Sequence, residues 1–406
     1  MPYPTDMKEK LAIHGGEPVR TKPYPTWPMA GVREEELLLE VIRSQQWGGY
    51  HKLVGEFEAL FAQMHDCEHA VTCANGTIAL EMALDAAGIR SGDEVIVPAH
   101  SFIATSSAVS RVGAVPVFVD IDRETYNISP ERIREAASEN TKAVIVVHFG
   151  GAMVDMDRLD KIAAETKLTV IEDAAHAHGA EWHGRRAGSF GTVSTFSFQN
   201  SKVMTSGEGG IITTNDADLA ARARSFANCG RREGEGWFDH FVLASNLRMT
   251  GFQAAVLTAQ LEKLTDQIRL RQQNAESLIK AVSAPGVRFQ KVPDGANVES
   301  CYIIPGAIDE AEFGVGRDAF IEAMKAEGIP CSPFYANPLY KNPMYEDVAH
   351  RTEPCPAAEE VCGTSFWLPL VTLMGSEEDA KDVARAIEKI HTAYKPVETE
   401  TGVAVN

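Results

Sequence analysis

Ala143-Val-Ile-Val-Val147 and, beyond one helical stretch, Thr169-Val-Ile-Glu-Asp173 decide the fold. The apolar part of each is a short run rich in β-branched residues with no polar alternation. A strand of a parallel sheet covered on both faces requires that pattern. Similar runs occur at His69–Cys73, Glu94–Val97 and Val115–Val119, and helical segments at Ile78–Ala87, Thr105–Val112 and Leu159–Thr166 lie between them. Strand alternating with helix from about residue 57 to 225 predicts a doubly wound α/β domain. Ligands are then expected at the carboxyl ends of the strands.

Outward from this core, Glu34–Ser44 reads as a helix behind a proline-rich, irregular start. Short strands at Thr195–Phe198 and Gly210–Thr213 bracket a polar loop, and a long helical stretch around Phe252–Val282 leads away. The remainder mixes strands at Val287–Val292 and Cys301–Ile304 with helices at Arg317–Glu327 and Glu377–Tyr394. The expected organisation is an N-terminal arm (1–30), a large domain (31–265), a smaller α+β domain (266–395) and a tail (396–406).

Bulk properties narrow the function. A chain of 406 residues is long for one core, and 44% hydrophobic with 23% charged residues is a globular composition. Apolar runs stop well short of the ~20 residues a membrane helix needs, and the polar start lacks the apolar segment of a signal peptide. A net charge of −19 repels phosphate backbones and anionic lipid, so neither nucleic acid nor membrane is an expected partner. Seven cysteines without a C-x-x-C pair argue against a disulfide framework or zinc site and for a reducing cytoplasm; no metal is expected.

Three segments carry chemistry. In Cys73-Ala-Asn-Gly76-Thr77-Ile78 a strand ends and an apolar helix begins at once. Free N–H groups there, with the Thr77 hydroxyl, suit an anion, although Asn-Gly also occurs in ordinary βα turns. In Glu172-Asp173-Ala-Ala-His176 a carboxylate ends a central strand, where burial demands a partner. A protonated pyridine nitrogen, as in pyridoxal phosphate, is one such partner; a helix N-cap is the plainer alternative. In Ser194-Thr-Phe-Ser197-Phe-Gln199-Asn-Ser-Lys202, a strand delivers Ser197 and Gln199, and a lysine follows in a loop that ends at Gly207-Glu-Gly-Gly210. Most lysines are solvated surface charges. One beside backbone donors and a phosphate loses its proton more easily and attacks a carbonyl, and three site-forming segments meeting at one sheet edge favour that role for Lys202.

With Asn75-Gly-Thr-Ile-Ala-Leu80, His100-Ser-Phe-Ile-Ala-Thr105, Val147-His-Phe-Gly-Gly151, Met156-Asp157 and Asn246-Leu-Arg-Met249, these motifs span the chain from about Leu11 to Tyr394. The stretch resembles the DegT/StrS-type family of fold-type-I, pyridoxal-phosphate-dependent sugar aminotransferases. The resemblance implies a large cofactor-binding domain with a mostly parallel sheet and a smaller C-terminal α+β domain. It implies an internal aldimine at Lys202 and Asp173 on the pyridine nitrogen. It further implies His176 beside the ring, Phe102 stacked on it, and Gly76, Thr77, Ser197 and Gln199 around the phosphate. Asn246 matches an asparagine that reaches the neighbouring subunit's phosphate, so a homodimer with shared sites is implied. A branch with histidine in place of the lysine performs dehydration; Lys202 sets this chain apart from it.

Two departures bear on the substrate. Gln199-Asn-Ser-Lys202 replaces the usual His-Pro-Thr-Lys type of sequence, and His14-Gly-Gly-Glu-Pro-Val-Arg20 with Trp47-Gly-Gly-Tyr50 stands where nucleotide-sugar enzymes generally carry a Gly-Trp-Leu-Thr-like segment. Both are more similar to the branch of glutamine:scyllo-inosose aminotransferases and 3-amino-5-hydroxybenzoate synthases. The expected reaction is amino transfer from L-glutamine or L-glutamate to a keto-sugar or keto-cyclitol. The rival readings are a dehydrating, aromatising enzyme on the same cofactor and a non-catalytic cofactor-binding regulator. Trp47, Tyr50 and Tyr335 are expected to contact the acceptor ring, against a plain packing role. Arg231, Arg232 and Arg248 are expected to take a donor carboxylate, against surface ion pairing. His148, His178 and His183 read as structural histidines.

Overall fold

The computed structural model describes residues 10–395; the expected tail and residues 1–9 of the arm lie outside the described residues. An eight-stranded sheet dominates, in the order His69–Cys73, Gly210–Thr214, Val193–Ser197, Thr169–Asp173, Thr141–Val147, Glu94–Pro98, Val115–Val119 and Arg351–Thr352. Gly210–Thr214 pairs antiparallel with both neighbours, and the other pairings are parallel. The sheet is mostly parallel, as expected.

Why these runs lack polar alternation is visible in the packing. Val144 and Val146 enter one buried cluster with Phe57 and Phe61, while Ala143, Ile145 and Val147 enter the cluster on the other face. Both faces are covered, so both sets of alternating positions must be apolar. Helix starts are fixed by side-chain caps: Asn75 accepts from Ile78 N, Asp155 from Arg158 N, and Asp216 from Leu219 N. Such caps stabilise a helix by about 1 kcal/mol each.

A four-stranded antiparallel sheet, Val287–Phe289, Ile303–Ile308, Ser365–Pro369 and Ser332–Pro333, forms the smaller unit. It packs its own core of Phe313, Phe320, Phe366 and Ile387. Residues 265 and 266 lie inside one continuous helix, Gly251–Ala281, which packs on Val32–Ser44, Lys52–Met64 and Glu377–Tyr394. Among the described residues no helix is long and apolar enough to cross a membrane.

Local sequence does not announce some elements. The helix Lys52–Met64 starts at His51, whose ring nitrogen accepts from Leu53 N. Arg351–Thr352 joins the large sheet from far along the chain by pairing with Val117 and Phe118. Asp120, just past the strand Val115–Val119, accepts from Ala357 N (3.0 Å) and Ala358 N (2.9 Å) and so ties the helix Pro356–Thr364 to the large sheet. Asp120→Ala leaves those buried donors unpaired and should cost about 1–3 kcal/mol in urea unfolding; a change under about 0.5 kcal/mol contradicts this account.

Candidate active site

The carboxyl ends of the parallel strands bring Ser197, Asp173 and the start of the helix Gly76–Ala86 together. Glycine is required at 76: a Cβ there would sit 2.6 Å from the Ser197 Cβ. Asn75 takes up the Ile78 N–H, and the helix's first N–H groups, at Gly76 and Thr77, have no acceptor within the helix. The start of the helix, against Ser197, thus forms an anion cradle. Gln199 folds back on its own loop, its Oε1 accepting from Ser201 N (2.8 Å) and Ser201 Oγ (2.7 Å).

Two carboxylates leave the strand Thr169–Asp173 at its end. Glu172 is fully buried and saturated: it accepts from Gly188 N (3.0 Å), Phe190 N (2.8 Å), Gly191 N (2.6 Å) and Ser194 Oγ (2.8 Å). His148 Nδ1 accepts from Val154 N, so its proton is on Nε2, which donates to Glu172 at 2.9 Å. Burial pushes the Glu172 carboxyl up, but the His148 contact and the backbone donors outweigh it and hold it at about 2. Asp173 has fewer partners, Thr105 Oγ1 at 2.9 Å and Ala175 N at 3.3 Å, and burial raises its carboxyl above the usual range. Turns rather than a helix follow it, so it is not an N-cap.

Lys202 is half-buried in the loop beyond Ser197. Burial lowers its amine to about 8, against the opposing pull of Asp173. Its Nζ lies 4.4 Å from the Tyr302 ring centroid, and the Tyr302 ring lies 4.4 Å from that of His176. Burial, with the Lys202 charge adding, pushes the His176 imidazole well below its ordinary range. Its Nδ1 accepts from Gly150 N at 3.4 Å, so the ring is neutral and carries its proton on Nε2.

Phe102, 55% exposed, stands past the end of the strand Glu94–Pro98 with an open ring face. Tyr335 packs edge-on to His100 at 5.3 Å; burial raises its hydroxyl, and the charges of Tyr302 and Asp173 add to the shift. His100 packs on Phe149 at 4.9 Å and Phe149 on His176 at 5.7 Å, so a run of rings links Tyr335 to the same site. The other expected substrate residues gather elsewhere. Tyr50 Oη and Arg248 Nη1 both donate to Asn228 Oδ1 at 2.8 Å, Trp47 packs on Phe252, and exposed Asn246 bridges Asn228. A groove of about 1770 Å³ lined by Tyr50, Arg231, Arg232 and Arg248 has none of Lys202, Asp173 or His176 in its described wall.

His148 is a structural histidine in the sense expected, His183 contacts Asp157 at 3.2 Å on the surface, and His178 packs between Phe196 and Phe198. Sequence reasoning missed Thr105, Tyr302, Ser201 and Trp27. Thr105 ends the motif His100-Ser-Phe-Ile-Ala-Thr105, three residues past Phe102. Trp27 and Tyr302 come from distant segments, and no local pattern marks them.

An anion cradle, a buried carboxylate with acceptor capacity to spare for a cation, and an amine lowered by burial are what pyridoxal phosphate asks of a protein. Fold and site define a fold-type-I, pyridoxal-phosphate-dependent aminotransferase. Residues 28–388 match the DegT/DnrJ/EryC1/StrS aminotransferase family, and the chain belongs to it. It is 38% identical to an L-glutamine:2-deoxy-scyllo-inosose aminotransferase of Streptoalloteichus tenebrarius, over 95% of this chain and 98% of the relative. It is 36% identical to a 3-amino-5-hydroxybenzoate synthase of Amycolatopsis mediterranei, over 90% and 96%. A crystal structure of 3-amino-5-hydroxybenzoic acid synthase superposes with a TM-score of 0.86 at 34% identity, covering 90% of this chain and 98% of that one.

Glu172 makes acid stability testable. Its folded pKa is depressed to about 2, below an unfolded value of about 4.3. Its contribution is therefore complete above pH ~4.3 and is lost as pH falls toward 2. Glu172→Ala strands its donors in the core and should cost about 3–5 kcal/mol in urea unfolding at pH 7. It should also flatten the acid limb of a stability-versus-pH curve; an unchanged limb contradicts the assignment.

Proposed function

We propose that this enzyme moves the amino group of L-glutamine onto the carbonyl carbon of a keto-cyclitol, with Lys202 as the residue that bonds the cofactor and carries the proton. The observation that carries the reading is geometric: Lys202 Nζ rests on the Tyr302 ring, which packs on His176, past the strand whose end buries Asp173; burial lowers that amine. The donor and acceptor rest on the relatives: those named L-glutamine:2-deoxy-scyllo-inosose aminotransferases are 35–38% identical over nearly the full chain. When bound, pyridoxal phosphate supplies an electron sink that lets a Cα proton leave.

The chain's own residues do the rest. Gly76, Thr77, Ser197 and Gln199 bind the phosphate, and Phe102 covers the ring and keeps water from it. Asp173 accepts from the protonated ring nitrogen, which relieves its costly burial. Neutral Lys202 Nζ takes the Cα proton of the donor and gives it back at a second carbon, and the reverse sequence aminates the ketone. Neutral His176 lends an apolar face and an Nε2 donor without adding charge. Tyr335, packed on His100 in the run of rings that leads to His176, is the acceptor-side contact within this chain.

Two copies complete the site in this reading. The loop around residues 228–249 exposes Phe238 (84%) and Leu243 (100%), and a patch of that kind marks an interface. Trp47, Tyr50, Asn246 and Arg248 stand on the same side and reach the partner's cofactor and substrate. Seven free cysteines suit a reducing, cytoplasmic setting.

Lys202→Ala or Asp173→Ala should lower turnover of glutamine with a scyllo-inosose-type ketone by at least about 10³-fold. Borohydride should fix the cofactor on the Lys202 peptide of the wild type. Near-normal turnover in either variant, or an aromatic product instead of an aminocyclitol, overturns the proposal. Because only the neutral amine attacks, capture of the cofactor by apoprotein should speed up as pH rises through about 8. For the shared site, co-expressed Lys202→Ala and Asn246→Ala chains should recover about a quarter of wild-type activity, since random pairing leaves one intact site in each mixed dimer. No recovery argues that each chain builds its site alone.

A further inference from the structure

Lys202 meets two segments from far outside its own loop, and their polar tips converge on successive residues. From the N-terminal arm, Trp27 Nε1 donates to the Lys202 backbone carbonyl at 3.1 Å. From the entry to the small sheet, the Tyr302 hydroxyl contacts Ser201 Oγ at 2.9 Å while its ring faces the Lys202 amine.

Neither residue arrives by loose packing. The arm is fixed on both sides of Trp27. Arg20 Nη1 binds Asp379 (2.8 Å) and Asp382 (2.7 Å) on the helix Glu377–Tyr394, and Arg20 N donates to Glu327 O at 3.0 Å. Beyond Trp27, Met29 O accepts from Gln260 Nε2 and Lys263 Nζ, each at 3.1 Å, on the helix Gly251–Ala281. Tyr302 is keyed by backbone contact: Ser300 N donates to Gly151 O (3.2 Å) and Tyr302 N to Gly150 O (3.1 Å). Cys301 between them takes a left-handed φ of 49°, unusual for a side chain with a Cβ. A Cβ at Gly151 would fall 2.9 Å from Cys301 N and 3.1 Å from His176 O. Only glycine lets the two segments interlock here, and the interlock sets Tyr302 between His176 and Lys202.

We propose that Trp27 and Tyr302 are positioning residues that clamp Lys202 by its carbonyl and its amine, holding the amine in reach during the part of the cycle when it is not bonded to the cofactor. The proposal rests on the role given to Lys202 above. Without a clamp, a lysine side chain with four rotatable bonds samples many positions, and each return to the cofactor carries that entropy. The aromatic face attracts the amine while it carries a proton, leaves it a weaker N–H contact when it does not, and covers one side of it from water.

The test measures how fast apoprotein captures pyridoxal phosphate at Lys202, followed by absorbance, together with steady-state kinetics. Tyr302→Leu removes the aromatic face; it should slow capture and lower kcat by about tenfold each, with the KM for glutamine changed less than about twofold. Tyr302→Phe keeps the face and should restore both rates to within about threefold of wild type. Trp27→Phe keeps the ring and deletes one N–H, and should slow capture by about three- to tenfold. Should Tyr302→Leu fail to fold, Trp27→Phe carries the test. Wild-type rates in Tyr302→Leu and Trp27→Phe, or a Tyr302→Phe as slow as Tyr302→Leu, overturn the clamp. A wild-type apoprotein that never captures the cofactor at Lys202 instead sinks the function proposed for that lysine.

Discussion

Burying a carboxylate without enough partners costs several kcal/mol, and the strand Thr169–Asp173 buries two in succession. Alternation sends them to opposite faces. Glu172 shares its side with Val170 and the Phe57–Phe61 cluster, while Asp173 shares its side with Ile171 and the other cluster. Glu172 is satisfied by four donors from the 188–194 segment and by His148, so its charge is held and its burial is stabilising. Those contacts lock the end of the strand, and with it the backbone of Asp173. Among the described residues the Asp173 carboxylate has only Thr105 and one long backbone contact, so its charge is left wanting a cation. One residue builds the support on which the other can remain under-satisfied.

The same division runs through what the sequence made legible. The strand cores were readable because both faces of the large sheet are covered, and a run such as Ala143–Val147 must then be apolar throughout. Lys202, Asp173 and the Gly76 turn were readable because each lies at a strand–loop junction whose residue types are set by local geometry. Glycine at 76 is forced by a 2.6 Å approach to Ser197 that no larger residue permits. Tyr302 and Trp27 were not readable in this way. Their meaning comes from contacts across 101 and 175 positions of chain, and neither carries a turn, a cap or a period. Arg351–Thr352 was hidden for the same reason: a two-residue strand has no pattern, and its place is fixed by the edge of a sheet built from far earlier residues.

Residues expected to touch the acceptor divide between two surfaces, and the division is itself informative. Tyr335 is linked to His176 through the rings of His100 and Phe149, whereas Tyr50 and Arg248 are bound to Asn228 on the loop that exposes Phe238 and Leu243. A single chain that kept such a loop facing water would carry the apolar cost of it without return. The proposed dimer accounts for both features at once, because the surface that hides the loop is also the one that needs its polar residues.

Lys202 and Asp173 are both displaced toward their uncharged forms, the amine downward and the carboxyl upward, although each pulls the other toward charge. In each case burial is the larger influence. Their mutual attraction does not offset what desolvation takes away. A weak coupling is what the chemistry requires. A strong Lys202–Asp173 bridge would keep the amine protonated and the carboxylate occupied, and neither group could then serve a cofactor ring. The clamp proposed from Trp27 and Tyr302 follows from the same limit, since an amine not held by its counter-charge must be held by something else. An aromatic face and a backbone hydrogen bond hold it with less pull on its proton than a paired carboxylate exerts.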